Sequence, residues 1–297
     1  MRVAAALKAA GHHVRAFVRR PPPSSLDVDE VVVGDVLDRT AVARAVASMD
    51  AVVSTVEGYY GGGFARARAW DTDTVGVCNV IELAEQNGAQ RFVFASIVGC
   101  DRGSPADHIR SKVIVETRLA SSRLDWVAVR APFLLDEASQ FYASRLRKGM
   151  VTCFGSPDLR CSMLLSDQFV EALVIAVEHR ELSRERVDVV WERDVSPREL
   201  AELFERYTGR AIRIRALPWP PTRALMLALG TVSTGLRNFR HTVEFVRAGK
   251  FIGDPVQTRR LFGRGLDRDE SVRAYVAARV HDVKRNDSVP KSHQHVT

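Results

Sequence analysis

The chain of 297 residues lacks the features that mark membrane-spanning, disulfide-bonded and metal-binding proteins. Its most apolar segment, residues 224–236, contains two glycines and is shorter than the roughly 20 residues that a transmembrane helix needs. The four cysteines form no C-x-x-C pair and have no metal-like spacing, which favours free thiols in a reducing compartment. We therefore predict a cytoplasmic protein with no membrane span and no metal site.

Positive charge is in excess, but the basic residues are scattered and no basic stripe with interleaved aromatic residues is visible. Lys and Arg number 43 against 36 Asp and Glu, which leaves a net charge of +7. An anionic small ligand explains this surplus as well as nucleic acid does, so we expect a small-molecule substrate and no nucleic-acid partner. Arg223, Arg237 and Arg240 flank the apolar segment 224–236. We predict a core or cap helix there, with a membrane-surface helix as the alternative.

The stretch around which the chain is organised runs from residue 91 to residue 112. Residues 91–98 are mostly apolar and rich in β-branched and aromatic side chains, which is typical of a strand buried on both faces of a parallel sheet. Ser96 lies near the end of that strand. A helix pattern follows over residues 106–121, and it places His108 and Lys112 four residues apart on one face. The hydroxyl and the cation can therefore point into one crevice at the carboxyl edge of the sheet.

Strand and helix patterns alternate on both sides of this stretch. We predict strands over residues 13–19, 31–33, 51–56, 91–98, 124–130 and 187–191, and helices over residues 3–10, 40–48, 72–86, 106–121, 167–177, 196–208 and 272–280. This rhythm predicts right-handed βαβ units and an α/β fold with a doubly wound parallel, Rossmann-like sheet. From residue 133 the pattern becomes irregular, so we expect a smaller, irregular and helical C-terminal part that covers the substrate.

The predicted organisation has three segments. Residues 1–132 form a dinucleotide-binding core, and residues 133–283 form the substrate-covering part together with a helix and a strand that return to the core. The polar tail of residues 284–297 has no periodicity and is expected to be disordered.

The order of these pieces resembles the atypical short-chain dehydrogenase/reductase superfamily and, within it, the NmrA-like NAD(P)-binding proteins. The resemblance covers nearly the whole chain and is carried by AGHHVRAFVRRP, VVVGDVLD, RFVFASIVG, HIRSKVIVE and LDWVAVRAPF. It implies a nicotinamide dinucleotide as cofactor and leaves the substrate open.

The sequence departs from this family at its start. The family's fingerprint is a strand followed by G-x-x-G-x-x-G, whose backbone N–H groups and following helix hold the pyrophosphate. Here Met1 already belongs to the helix that should follow that loop, and no other glycine cluster replaces it. We expect about a dozen further residues, one strand and the glycine turn, upstream of Met1. Otherwise the protein lacks its central strand and binds a dinucleotide poorly.

The resemblance places cofactor contacts at three strand ends. Arg19 and Arg20 lie where NAD-preferring folds have an acidic residue for the ribose hydroxyls, and a cation there suits a 2′-phosphate, so we predict NADP, with NAD as the alternative. Asp35 and Val36 resemble the family's adenine-side pair, although a Gly-Asp after a strand is usually only a turn.

A further set of residues lies along the predicted crevice. Ser54 and Thr55, at the end of a third strand, are predicted to lie next to the cofactor ribose. Tyr59 and Tyr60 in the following glycine-rich loop, and Phe133 at the start of the covering segment, are predicted to contact the substrate. Loop tyrosines also serve as plain surface anchors, and Phe133 can equally belong to a small core.

Active members of the wider superfamily carry Y-x-x-x-K on the central helix, where the lysine binds the nicotinamide ribose and lowers the tyrosine's pKa. Here the same frame reads H-I-R-S-K, so the resemblance assigns Lys112 to the cofactor and leaves His108 as the candidate acid. An imidazole beside a cation should have a lowered pKa and could still donate a proton near neutrality. The alternative for His108 is an ordinary surface histidine. Ser96 matches the serine that polarises a carbonyl.

Two functions of different classes follow. The first is an NADP-dependent oxidoreductase that acts on a small carbonyl or conjugated substrate, with Lys112, His108 and Ser96 as catalytic residues. The second is a non-catalytic NAD(P)-binding sensor, or a regulatory or assembly subunit that docks through residues 224–236. The missing tyrosine makes this second function credible, and a helix-rich exterior is compatible with a homodimer.

Overall fold

The chain alternates strands and helices through its first 190 residues and becomes mainly helical after residue 218. A computed structural model describes residues 2–22, 26–60, 64–65, 68–136, 146 and 148–287, with the backbone alone for residues 60, 64–65 and 279–287. The strands are β1 (Arg15–Val18), β2 (Glu30–Val33), β3 (Ala51–Ser54), β4 (Tyr59–Tyr60), β5 (Phe64–Ala65), β6 (Arg91–Ile97), β7 (Asp125–Ala131), β8 (Phe133–Leu134), β9 (Met150–Phe154), β10 (Met163–Leu164), β11 (Glu185–Asp188) and β12 (Arg213–Leu217).

The helices surround these strands. They are α1 (Arg2–Ala9), α2 (Arg39–Val46), α3 (Ala69–Asp71), α4 (Val77–Gln86), α5 (Asp107–Ala120), α6 (Ser166–Glu178), α7 (Pro197–Thr208), α8 (Trp219–Gly230), α9 (Thr234–Arg247), α10 (Pro255–Phe262) and α11 (Arg268–Asp287). A π-helical turn, Thr72–Gly76, joins α3 to α4. Within the described part of the chain, no helix is long and apolar enough to cross a membrane.

The main sheet has four parallel strands in the order β11-β7-β6-β3. Its interior strand β6 pairs with β3 on one side and with β7 on the other, as predicted. Phe92, Val93 and Phe94 are fully buried because helices cover both faces of this strand. Phe92 and Phe94 pack with residues of α2, α4 and α5, whereas Val93 packs with residues of α6 on the opposite face. The predicted Rossmann-like arrangement is confirmed.

The strands β1 and β2 form a separate parallel pair and have no hydrogen bonds to the main sheet. Between β1 and β3 lies an open cavity of about 430 Å³, lined by both strands and by α1. Phe17 of β1 and Val52 of β3 face this cavity. Two strand edges therefore face each other across a slot.

The part after residue 132 is more ordered than the irregular pattern predicted. Short parallel pairs form between β8 and β10 and between β9 and β12. The predicted capping box of α7 is confirmed, since Ser196 accepts from Glu199 N–H and the Glu199 side chain accepts from Ser196 N–H. Helix α11 continues to Asp287, four residues into the segment expected to be disordered, and the remaining tail lies outside the described residues.

The apolar segment 224–236 does not form a core helix. It is divided between α8 and α9, which pack on each other as a helical pair, and most side chains of α8 are exposed. Leucine-rich composition alone suggested burial, but nothing in the described structure covers the outer face of α8.

Candidate functional site

Helix α5 delivers three polar side chains to the sheet surface. His108, Lys112 and Glu116 follow one another at intervals of four residues, so they form one ridge along the helix. Lys112 and Glu116 are only 3% and 2% exposed, which is rare for these residue types unless they are paired. The ridge lies over the end of β6, because the Lys112 ammonium lies 5.2 Å from the centroid of the Phe94 ring.

The Lys112 ammonium forms an ion pair with a carboxylate that was not among the predicted site residues. Its Nζ lies 3.2 Å from Oε2 of Glu57, which follows β3. Glu57 is itself exposed, so this ion pair links the buried ammonium to the surface at the carboxyl edge of the sheet. Only its position directly after a predicted strand, next to Gly58, could have indicated Glu57.

A second carboxyl group, Asp73, lies beneath this pair and is only 1% exposed. The π-helical turn Thr72–Gly76 presents it to the loop after β3, where its Oδ1 accepts from the backbone N–H of Gly58 at 2.5 Å. A side chain at Gly58 would meet the backbone of Ala69 at 2.7 Å, so only glycine lets the loop approach. The other oxygen, Oδ2, is buried with no hydrogen-bond partner among the described residues.

Burial and the nearby Glu57 carboxylate raise the pKa of Asp73 to about 7, while Lys112 opposes them. Asp73 is therefore the group at this site that exchanges a proton near neutral pH. The sequence shows it only as one of two aspartates in DTDT, a pattern without a specific signal.

Tyr59 and His108 form the wall beside this cluster. The Tyr59 side chain is 4% exposed, its ring centroid lies 6.0 Å from that of His108, and its hydroxyl is 3.5 Å from Oδ2 of Asp107. Burial and the Asp107 carboxylate raise the pKa of Tyr59 to about 12. The phenol is thus protonated at neutral pH and points toward α5, close to the group that replaces the family's tyrosine.

His108 is a neutral imidazole at neutral pH, because burial lowers its pKa to about 4. The pKa of His108 is lowered, as predicted. Burial is the main cause, and the nearby Lys112 cation adds a smaller effect. The ring's Nδ1 is shielded and unpartnered among the described residues, while Nε2 lies 3.4 Å from the Thr242 hydroxyl.

Helix α9 closes the site from above. Asn238 is 1% exposed, donates through its Nδ2 to Oδ2 of Asp107 at 3.1 Å and accepts from the backbone N–H of Asp107 at 3.0 Å. Thr242 follows one turn later on the same helix and reaches His108. The C-terminal helices therefore fix the N-terminus of α5, a contact between distant segments that no local pattern indicates.

Ser96 is not among the groups that gather at Lys112. Its hydroxyl donates to Oε1 of Glu116 at 2.7 Å, inside a buried network in which the Glu116 carboxylate also accepts from Arg130 at 2.7 and 2.9 Å and from Arg186 at 2.6 Å. This placement gives Ser96 a structural partner, and its predicted contact with a carbonyl stays a prediction.

The residues predicted to hold the adenosine half surround the ends of β1 and β2. Arg19 and Arg20 follow β1, are exposed, and make no ion pair with any residue of the described ranges. Oδ1 of Asp35 accepts from the backbone N–H of Leu37 at 3.0 Å, as the side chain of an aspartate in an ordinary turn does. A Cβ on Gly76 would lie 2.4 Å from the Val36 side chain, so the turn after β2 packs tightly on the start of α4.

The end of β3 supplies the remaining predicted contacts. Ser54 is buried, and its Oγ has no hydrogen-bond partner among the described residues, whereas Thr55 is exposed at the rim. An orphaned hydroxyl, unpaired arginines and a buried lysine along one sheet edge fit the ribose and phosphate groups of a dinucleotide. The glycine turn that would hold the pyrophosphate is absent from this sequence, so the fit covers the two nucleoside ends.

The two other predicted substrate residues are placed differently. The backbone of Tyr60 continues β4, and its side chain lies outside the described residues. Phe133 of β8 packs against Phe251, with ring centroids 4.4 Å apart and ring planes tilted by 45°, and is partly buried against the main core. Phe133 therefore packs in the core, and its contact with a substrate stays a prediction.

Comparison with known sequences finds one family model and distant relatives. Residues 1–150 match the family described as NAD(P)H-binding. An uncharacterized protein of Mycobacterium tuberculosis is 27% identical over 173 residues, or 58% of this chain. That match spans 18% of the relative's own length.

Several solved structures share the fold. Triphenylmethane reductase from Citrobacter sp. superimposes with a TM-score of 0.73 at 13% identity, covering 93% of this chain and 95% of the other. The NADPH-dependent quinone oxidoreductase of Escherichia coli, complexed with NADPH, gives 0.72 at 15% identity, with 94% and 95% covered. A nucleoside-diphosphate-sugar epimerase from Staphylococcus aureus gives 0.72 at 13% identity, with 92% and 95% covered. At these identities the likeness shows the fold alone.

Proposed function

This chain belongs to the NAD(P)H-binding family, with the NmrA-like, atypical short-chain dehydrogenase/reductase fold, and from that premise we propose that it is an NADP-dependent oxidoreductase. Its substrate is a small carbonyl or conjugated compound. The observation that carries the proposal is the cluster at the carboxyl edge of the sheet in which the buried Lys112 and Asp73 meet the exposed Glu57. A buried carboxyl group with a displaced pKa, such as that of Asp73, is typical of catalytic sites.

Each side chain of the cluster has a distinct task. A bound NADPH supplies the hydride. Lys112 binds the nicotinamide ribose with its ammonium, and Glu57 holds that ammonium in place. Asp73, whose pKa is raised to about 7, is partly protonated at neutral pH and provides its proton as negative charge develops on the substrate oxygen. His108 and Tyr59 stay neutral and offer N–H and O–H groups to the same oxygen.

Arg19 and Arg20 support the choice of NADP. They are exposed, unpaired with any described carboxylate and located directly after β1. A guanidinium group matches a 2′-phosphate by bidentate hydrogen bonding, while an NAD-preferring site uses a carboxylate for the ribose hydroxyls. Asp35, Val36, Ser54 and Thr55 complete the proposed cofactor contacts, and Tyr60 and Phe133 the proposed substrate contacts.

A non-catalytic dinucleotide sensor is the second candidate. It is favoured by the state of His108 and Tyr59, because neither group releases a proton readily at neutral pH. In this function Lys112 still binds the cofactor, while Asp73 only responds to pH. The enzyme and the sensor are therefore both expected to bind NADPH, and only the enzyme is expected to oxidise it.

The first experiment measures NADPH binding by fluorescence titration of the full chain. We expect Lys112→Ala to weaken NADPH binding at least tenfold, because the ribose loses a charged partner. Lys148→Ala is the matched control, since Lys148 is exposed and distant in sequence from the site. Equal affinities for the parent protein and Lys112→Ala contradict the proposed site.

The same titration tests the cofactor preference. Replacing Arg19 and Arg20 together with alanine should weaken NADPH binding about tenfold and leave NADH binding unchanged, because only NADPH carries the 2′-phosphate. Equal losses for both nucleotides, or none for either, argue against NADP specificity.

Turnover separates the enzyme from the sensor. NADPH oxidation is followed against a panel of quinones, aldehydes and conjugated ketones, and Asp73→Asn should lower kcat about a hundredfold with little change in NADPH affinity. If no panel member is reduced while NADPH binds normally, the sensor function is supported.

A further inference from the structure

The exposed side of α8 carries an apolar stripe that continues into the following turn. Leu225 and Leu229 are 59% and 44% exposed and lie four residues apart on one face of the helix, and Val232, in the turn after it, is 86% exposed. Between Pro218 and Ser233 the only charged residue is Arg223. Contiguous exposed apolar surface of this kind marks an interaction site.

The charge around this stripe is strongly one-sided. Residues 210–250 contain eight basic side chains and one acidic side chain, a surplus of seven that equals the net charge of the whole chain. The rest of the chain therefore carries equal numbers of each sign. The basic residues are scattered along the sequence, but their surplus is confined to the segment that contains β12, α8 and α9 with the residues directly before and after them.

The single acidic residue of the segment is already neutralised. Glu244 of α9 accepts from Arg223 at 2.8 Å and from Arg240 at 2.7 Å. Arg213, Arg215 and Arg237 are exposed and form no ion pair with any residue in the described ranges. Trp219 at the start of α8 lies 5.1 Å below the Arg247 guanidinium, which places an amphipathic aromatic ring at the border of apolar and charged surface.

We propose that α8, with the arginines of β12 and α9 around it, binds the surface of an anionic lipid bilayer. Leucine and valine side chains enter the boundary between headgroups and acyl chains, and the arginines contact the headgroup phosphates. A helix of this length, about 18 Å, lies in the interface and does not cross the bilayer. This inference is independent of the proposed enzymatic function.

Two other partners fit the surface less well. Nucleic acid would place its phosphates against Leu225 and Leu229, which offer no hydrogen bond, and the segment has no run of aromatic residues for base stacking. An apolar protein groove would accept the leucines but would not account for the confined surplus of positive charge. An anionic bilayer matches the leucines and the charge together.

The experiment is sedimentation of the full chain with lipid vesicles. We expect the protein to sediment with vesicles of phosphatidylcholine that contain about 30% phosphatidylglycerol, to bind pure phosphatidylcholine at least tenfold more weakly, and to be released by high salt. Absence of binding to either vesicle type overturns the proposal and leaves a protein partner as the occupant.

Two variant pairs test the two halves of the surface. Leu225→Glu with Leu229→Glu should lower vesicle binding at least tenfold, whereas Val256→Glu, at a 57% exposed site on α10, should not change it. Arg213→Ala with Arg215→Ala should lower binding about 25-fold, because each cation near an anionic surface contributes about fivefold. Arg193→Ala with Arg264→Ala removes the same charge elsewhere and should have no effect. Equal losses in a variant and its control refute the assignment.

A measurement on the parent protein guards against misfolded variants. Brominated lipids quench tryptophan fluorescence at short range, and Trp219 is the partly exposed tryptophan at the edge of the stripe. We expect quenching in anionic vesicles that Trp219→Phe largely removes. Identical quenching of the parent and Trp219→Phe contradicts the proposed orientation.

Discussion

Two side chains near Lys112 have pKa values that the same cause moves in opposite directions. Burial favours the neutral form of any titratable group, so it raises the pKa of the Asp73 carboxyl to about 7 and lowers that of the His108 imidazole to about 4. Both groups are therefore uncharged in much of the acidic range. The consequence is that neutral pH is the region where Asp73, and not His108, changes its charge.

Asp73 should make the stability of the fold depend on pH. Between about pH 4 and pH 7 the folded protein retains a proton that the unfolded chain has lost, so the free energy of unfolding falls as pH rises and levels off above pH 7. Asp73→Asn removes this slope and should be more stable than the parent by about 4 kcal/mol at pH 8. Urea unfolding of both proteins at several pH values measures this difference in the free energy of unfolding.

The control is Asp50→Asn at an exposed aspartate, which should change the free energy of unfolding by less than about 0.5 kcal/mol. The interpretation of Asp73 is wrong if the parent protein and Asp73→Asn lose stability in parallel between pH 4 and pH 8.

At the scale of elements, helix α5 is tied to three strands through one buried carboxylate. Glu116 accepts from Ser96 of β6, Arg130 of β7 and Arg186 of β11. Burial opposes its ionisation, but hydrogen bonds from Arg130, Ser96 and Arg186 prevail and lower its pKa. Because α5 also carries Lys112, this network sets the height of the ammonium above the sheet.

Glu116→Gln should lower the free energy of unfolding by about 3 kcal/mol, because it removes the buried counter-charge of the Arg130 guanidinium and leaves only the exposed Asp101. The comparison is Glu82→Gln, which breaks an exposed ion pair with Arg39 and should cost less than about 1 kcal/mol. Both are measured by urea unfolding at pH 7. Similar losses for the two variants would show that the network does not tie α5 to the sheet.

At the scale of the molecule, the strands divide into two hydrogen-bonded groups. The pair β1 and β2 has no ladder to the four-stranded sheet, and the slot beside it holds about 430 Å³. Few backbone hydrogen bonds therefore oppose the opening of this pair, although it carries Arg19, Arg20 and Asp35 of the proposed adenosine site.

We expect the amides of β1 and β2 to exchange with deuterium at least tenfold faster than those of β6 and β7, because they can open without disrupting the main sheet. Hydrogen exchange followed by mass spectrometry measures this difference. Strand β11 is the control, since it is also an edge strand but pairs with the main sheet. Equal protection of β1, β2 and β6 would show that the two groups open as one unit.

Prediction from sequence was most successful where a local pattern matches a local structure. The alternation of apolar runs and helix patterns placed the strands of the main sheet, the interior position of β6 and the capping box of α7. It did not show the pairing of β8 with β10 or of β9 with β12, because two-residue and five-residue strands separated by long connections have no local signal.

The sequence by itself determined the alternating α/β order, the spacing of His108 and Lys112, and the surplus of positive charge in residues 210–250. Only the tertiary structure decided that Lys112 is held by Glu57, that Asp73 is buried beneath them, and that the leucines of α8 face outward. The physical reason is that burial and ion pairing depend on contacts between segments far apart in the chain. The spacing of residues in the sequence indicates which side chains share one face of a helix or strand. Only the folded structure shows which other residues that face contacts.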